Sequence, residues 1–286
     1  MTEELRGDRR REPNGPVSGN SVERSPVTVE VRDSIAHVVM RRGDRGNPID
    51  LVMACALLDA ARTCRRANAR VVLLRGEGHS FCVGGDLRDF EAVDVEDRRD
   101  HLISVTDALH DALRIFASME APLIAAVHGS VAGAGVGLAA AADLTIASAD
   151  AVFLLAYTGI GYSPDAGVTW SLPRLVGPKR AMELLLTNPR IPADEAAAMG
   201  LITRVTDGET LVDEAQRLAG QLARGATGAF GATKHLVAQG LSSGLDTQLD
   251  RESRSLAAAA VSPEGVEGLA AFRAKRPPRF LPPHAD

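Results

Sequence analysis

Between Ala121 and Ala142 the chain runs for 22 consecutive residues without an Asp, Glu, Lys or Arg. A charge-free run of that length has to be buried, either as a helix in a bilayer, which takes roughly 20 apolar residues, or at the centre of a folded domain. Its own punctuation decides between the two. Pro122, His128, Gly129, Ser130, Gly133, Gly135 and Gly137 interrupt it, and proline removes a backbone donor while glycine weakens a helix interior. The run therefore predicts a short apolar strand, a flexible turn and an Ala-rich helix inside a protein core, with no membrane span.

The flanking sequence supplies the rest of an α/β pattern. Val27–Val31 and Ile35–Met40 read as a hairpin about Arg32-Asp33-Ser34. Leu51–Ala67 places Leu51, Ala54, Leu57, Leu58 and Ala61 on one helical face. Strands are expected at Val71–Leu74, Leu123–Val127 and Leu144–Ala147, with a long amphipathic helix from about Glu96 to Met119. Strands separated by helices predict parallel pairing, because a parallel pair needs a crossover connection. From Lys179 the pattern is helical, near 179–187, 193–199, 209–222, 227–239, 243–259 and 263–275, until Pro277, Pro278, Pro282 and Pro283 end it. The expected organisation is a disordered tail at 1–26, a core at 27–205 and a helical region at 206–286.

Composition narrows the function classes. Of 286 residues, 45% are hydrophobic and 24% charged, as in a globular protein. A net charge of −5 and only 3% aromatics argue against nucleic acid. Cys55, Cys64 and Cys82 show neither metal-ligand spacing nor a disulfide framework, and with no apolar stretch of signal-peptide length near the start, a reducing cytoplasm is expected.

Two glycine-rich turns follow apolar strands, where α/β proteins tend to build their sites. They are GEGHSFCVGGDL at Gly76–Leu87 and HGSVAGAGVGL at His128–Leu138. Gly84-Gly85 can leave amide N–H groups open to a ligand, and the second turn feeds a helix whose first N–H groups lack intrahelical partners. Together they predict either an oxyanion hole or two plain βα turns. A dinucleotide loop is excluded, since Leu138 stands where GxGxxG needs glycine and no acid follows at the required place, Asp150 being the nearest. Ser130 lacks the Gly-x-Ser-x-Gly elbow of a serine hydrolase.

Read in order, Gly46-Asn47-Pro48-Ile49, Phe81-Cys82-Val83-Gly84-Gly85-Asp86-Leu87, Ala125-Ala126-Val127-His128-Gly129 and Asp143 resemble the enoyl-CoA hydratase/isomerase, or crotonase, superfamily. Gly161, Pro164-Asp165-Ala166-Gly167, Leu172-Pro173-Arg174-Leu175-Val176-Gly177, Glu264-Gly265 and Phe272-Arg273-Ala274-Lys275-Arg276-Pro277 extend that resemblance over almost the whole chain. It implies a spiral of ββα units with a C-terminal helical region, assembled as a homotrimer or dimer of trimers, that binds acyl-CoA thioesters. Coenzyme A is then part of the substrate, and no separate cofactor or metal is implied.

The resemblance places the two carbonyl-polarising amides on Gly85 and Ala134. It puts coenzyme A along Val83, Gly85, Asp86 and Leu87, with Arg88 and Lys275, and also Arg276, as candidates for its phosphates. Phe272 and Phe280 are expected to cover the ligand or dock the last helix. The two glutamates that hydratases of the family use fall on Gly137 and Tyr157, so the acid-base pair for adding water is missing. Asp165 is left. It is either the N-cap of a short helix or, as the resemblance to the ring 1,2-epoxyphenylacetyl-CoA isomerase type implies, a single base that shuttles a proton. Tyr157 lines the acyl pocket, donates a hydrogen bond or packs under the sheet. His128 reads as structural, and Asp143 and Asp150 as caps or bridges. The expected activity is isomerisation of an enoyl-, dienoyl- or ring-epoxide acyl-CoA. The alternatives are a hydratase with non-standard acids and an acyl-CoA-binding protein without catalysis.

Overall fold

The computed structural model describes residues 25–280, so the tail expected at 1–26 lies almost wholly outside the described residues. β1 (Val27–Arg32) and β2 (Ile35–Met40) form the hairpin. Asp33 and Ser34 turn it with φ of 50° and 64°, and two positive values in succession match the twist of the strands they join. α1 (Leu51–Arg66), started by the Asp50 carboxylate on the Met53 N–H, crosses back to β3 (Val71–Gly76). α2 (Leu87–Ala92) and α3 (Val95–Ser118) lead to β4 (Leu123–Val127).

The charge-free run resolves into β4, β5 (Ser130–Ala132) and α4 (Ala134–Ala141), followed by β6 (Leu144–Ser148). Next come β7 (Val152–Leu154), α5 (Val168–Val176), α6 (Pro178–Thr187), β8 (Ile191–Pro192), α7 (Ala193–Ala198) and β9 (Arg204–Thr206). α8 (Leu211–Ala223), α9 (Thr227–Gly240), α10 (Leu245–Val261) and α11 (Pro263–Arg273) complete the described chain. The main sheet has the order β1-β2-β3-β4-β6-β9, parallel except for the opening hairpin, and β5, β7 and β8 form a second, three-stranded sheet.

Alternate residues of the central strands enter two different cores, as the two-residue period of a strand requires. Val38, Met40, Val72, Leu74, Ala125 and Val127 pack with α1, α3 and α4. Ile35, Val71, Leu73, Ile124, Ala126 and Ile146 face Leu211, Ala215, Leu218 and Ala219 of α8. The region from 206 thus begins with a helix that shares the sheet's second core. Covered on both faces, the strands read as continuous apolar runs, which is why they were legible. β5, β7, β8, β9 and α2 had no expectation attached, because each is too short to display a period.

Candidate active site

The two glycine-rich turns meet at the carboxyl ends of the strands. Phe81 and Cys82 donate their N–H groups to His128 O at 2.9 Å and Ser130 O at 3.3 Å, and Ala132 N–H returns a bond to Cys82 O at 2.9 Å. Asn47, fully buried, clamps the approach from beneath. Its amide nitrogen donates to Glu77 O, Ser80 O and Phe81 O at 2.9, 3.0 and 3.1 Å, and its oxygen accepts from Arg42 N at 2.9 Å. This clamp holds the Gly84-Gly85 turn over the start of α4.

Gly85 N–H and Ala134 N–H have no hydrogen-bond partner among the described residues. Ala134 is the first residue of α4 and therefore one of the donors a helix leaves open. Gly133, at φ 50° and ψ −120°, makes the turn into α4, a conformation that favours glycine. Both residues line a cleft of about 1010 Å³, at the upper end of ligand-pocket sizes.

Asp165 and Tyr157 line the same cleft. The Tyr157 hydroxyl donates to Asp165 Oδ1 at 2.7 Å. Burial raises the Asp165 carboxyl above the ordinary aspartate value, and the hydrogen bond from Tyr157 opposes that rise. Burial beside this carboxylate pushes the Tyr157 phenol up as well, so Tyr157 stays a neutral donor. The capping expectation for Asp165 is corrected here. α5 starts at Val168 behind Gly167, with no side-chain cap, and the Asp165 carboxylate points instead to Tyr157. Tyr157 combines the expected roles: it lines the cleft and donates the hydrogen bond, while its ring is buried with the main core.

At Gly137, where the resemblance places the other hydratase glutamate, a side chain has no room. A Cβ built on it would lie 2.4 Å from the Ala166 Cβ and 2.8 Å from Ala166 O. Cys82 sits beneath the turn with its thiol pushed up to about 12 by burial, which keeps it protonated and not nucleophilic.

Val83, Asp86, Leu87 and Arg88 line the cleft. The Val83 and Asp86 amides are already engaged, to Gly46 O at 3.0 Å and Ile49 O at 2.9 Å. The Asp86 carboxylate caps α2 and pairs with Arg45 at 2.5 Å. Those bonds hold the turn. Phe272 and Lys275 are not among the cleft residues of their own chain, and Phe272, being 81% exposed, does not dock the last helix. Arg276 forms a two-pronged pair with Glu267 at 2.6 and 2.9 Å, holding that carboxyl down to about 2. Arg98 and Arg99 of α3 reach the cleft near Arg88 and were missed, because nothing local in a helical run marks which arginines face a pocket. His128 donates its Nε2–H to Gly78 O, 2.9 Å away. A carbonyl only accepts, so its ring N–H is the donor. Asp143 bridges Leu123 N–H and Lys234, both at 2.7 Å, and Asp150 accepts from Ser148.

A half-buried carboxylate and two open amides line one cleft, an arrangement able to stabilise charge on a carbonyl oxygen and to move a proton. The enoyl-CoA hydratase/isomerase family profile matches residues 30–282, and the chain belongs to that family. It is 38% identical over 89% of its length to a protein of Rhodobacter capsulatus described as a probable enoyl-CoA hydratase, 97% of which is covered. It is 37% identical, with the same two coverages, to the 1,2-epoxyphenylacetyl-CoA isomerase of Escherichia coli. The crystal structure of an enoyl-CoA hydratase from Polaromonas sp. JS666 superposes with a TM-score of 0.83 at 32% identity, covering 88% of this chain and 98% of that one. The architecture is accordingly the α/β crotonase fold with two sheets and C-terminal helices.

Proposed function

We propose that the protein isomerises an enoyl-, dienoyl- or ring-epoxide acyl-CoA through an enolate, with Asp165 as the proton-transferring base and the Gly85 and Ala134 amides as the oxyanion hole. The observation that carries this reading is the Asp165 carboxylate in the cleft, bonded by Tyr157, while Ala166 occupies the space a side chain at Gly137 would need.

For a double-bond shift, Asp165 removes a proton from the carbon next to the thioester carbonyl. The electron pair moves onto the thioester oxygen, where each preorganised amide contributes about 3–4 kcal/mol. The same carboxyl, now protonated, returns the proton at the far end of the conjugated system, so one group serves both steps. Its raised pKa brings it toward the working pH, where proton transfer in both directions is most efficient. Tyr157 stabilises the carboxylate before it takes the proton and after it returns it, and orients it. Hydration is disfavoured because it asks for a second proton-transferring group, and Tyr157 with its raised pKa is a poor base.

Arg88 at the cleft is suited to the anionic end of coenzyme A, with Lys275 and Phe272 reaching the ligand of a neighbouring subunit in a trimer or dimer of trimers. The core at 27–205 holds the acyl-CoA site and the region at 206–286 supports assembly.

Wild type and Asp165→Asn are compared on crotonyl-CoA, a 3-enoyl-CoA and a dienoyl-CoA in deuterated buffer by absorbance and mass. Double-bond migration with deuterium uptake in wild type, lost in the variant, is expected. Gain of one water on crotonyl-CoA, equal in both proteins, overturns the role of Asp165 in favour of a hydratase with other acids. Tight thioester binding without change on any substrate overturns catalysis itself.

A further inference from the structure

Asp165 stands on a loop with few ties of its own. The Tyr162–Gly167 segment enters α5 through two successive residues with left-handed backbone, Ala166 at φ 48° and Gly167 at φ 72°, and alanine rarely adopts that region unaided. The main-chain bonds leaving the segment are local, from Tyr162 N–H back to Tyr157 O and from Val168, Trp170 and Ser171 N–H groups to Asp165 O and Gly167 O. Among the described residues, the one side chain from a distant element that bonds this backbone is His110, whose Nε2 accepts the Ala166 N–H at 3.1 Å.

His110 lies on α3 one turn beyond Thr106, a residue of the cleft wall, but is not itself part of that wall. An amide N–H can only donate, so His110 Nε2 carries the lone pair and the ring proton sits on Nδ1. In that state Nε2 has no proton to give to a substrate. The imidazole acts on Ala166, which adjoins the base and whose Cβ closes the space beside Gly137.

We infer that His110 is a positioning residue: by accepting the Ala166 N–H it holds residue 166 in its left-handed conformation and thereby aims the Asp165 carboxylate at Tyr157 and the reacting carbon. The inference rests on the reading of Asp165 as base.

The test compares His110→Leu and His110→Ala, which have no acceptor, with His110→Gln, whose side-chain oxygen can accept the same N–H. On 3-hexenoyl-CoA the first two are expected to lose about 10- to 100-fold in kcat with KM unchanged, the scale expected of a misplaced catalytic group, and glutamine to restore most of it. Hydrogen exchange of the Ala166 amide supplies a readout that needs no turnover. Protection is expected in wild type and His110→Gln, and fast exchange in the leucine and alanine variants. Wild-type kcat in the folded leucine or alanine variant overturns the inference. So does a glutamine variant that protects Ala166 yet stays inactive, which would mean that the imidazole itself takes part in the chemistry. If wild type turns over no thioester, the reading of Asp165 as base fails. The Ala166 exchange pattern still decides whether His110 holds the loop.

Discussion

The Cβ of Ala166 lies 2.4 Å from the position a Cβ on Gly137 would take. α4 and the loop that enters α5 are therefore packed closely together at residue 137, where the resemblance to the family places a hydratase glutamate. The missing carboxylate is a property of two elements together. Tyr157 and Asp165 have been brought into hydrogen-bond contact on the other side of the same loop, at 2.7 Å.

Restoring the glutamate alone should fail. Gly137→Glu is expected to lower stability by roughly 1–3 kcal/mol or more through overpacking, read from the urea midpoint, and to confer no hydration of crotonyl-CoA. A stable variant that hydrates would show that the loop can move aside.

Tyr157→Phe removes a donor that holds the Asp165 carboxyl down. The carboxyl then rises further, because a hydrogen bond to the charged form favours ionisation. Since the base must be ionised to act, the acid limb of kcat/KM is expected to move to higher pH than in wild type. A limb that stays in place would remove Tyr157 from the proton-transfer machinery.

Asp165 also ties activity to stability. Its folded-state pKa is raised by burial, so its contribution to stability is fully present below the unfolded value of about 3.9 and is lost as pH rises through the folded value. Above that point the ionised carboxylate weakens the fold. Asp165→Asn is expected to melt at a higher temperature than wild type at neutral pH, with the gap closing as the pH falls toward about 4. Thermal melts of both proteins across that range check the sign, and a gap independent of pH contradicts it.

Assembly is the fourth expectation. Phe272 and Leu256 are 81% and 73% exposed, and Leu249, Val266 and Leu269 on the same two C-terminal helices are exposed as well, with Met182 and Leu186 on α6 adding to the apolar surface. So many large apolar side chains left in solvent are expected to be covered by association. Sedimentation equilibrium is expected to return three or six times the 30.1 kDa chain mass, and Leu269→Glu combined with Phe272→Glu to shift it toward the monomer. A wild-type monomer at micromolar concentration would refute the assembly.

What could be read directly from the amino-acid order was whatever repeats at the period of one element. The apolar runs at Val71–Leu74 and Leu123–Val127 announced strands covered on both faces, and Leu51, Ala54, Leu57, Leu58 and Ala61 announced a helix. The spacing of Gly84-Gly85 and Gly133 marked turns with open amides, and the ordered motifs led to the family. Gly137 and Tyr157, standing where the resemblance places the two hydratase glutamates, led to the expectation of an isomerase. Tertiary structure decided the rest, because those relations join residues with no common period. Lining of one cleft by Arg98 and Arg99 of α3 together with Arg88 depends on how α3 lies across the cleft. Asp165 could equally well have capped its helix, and only the entry of α5 through Ala166 and Gly167 frees its carboxylate for Tyr157. His110, 55 residues earlier in the chain, reaches that loop only because α3 passes beneath it.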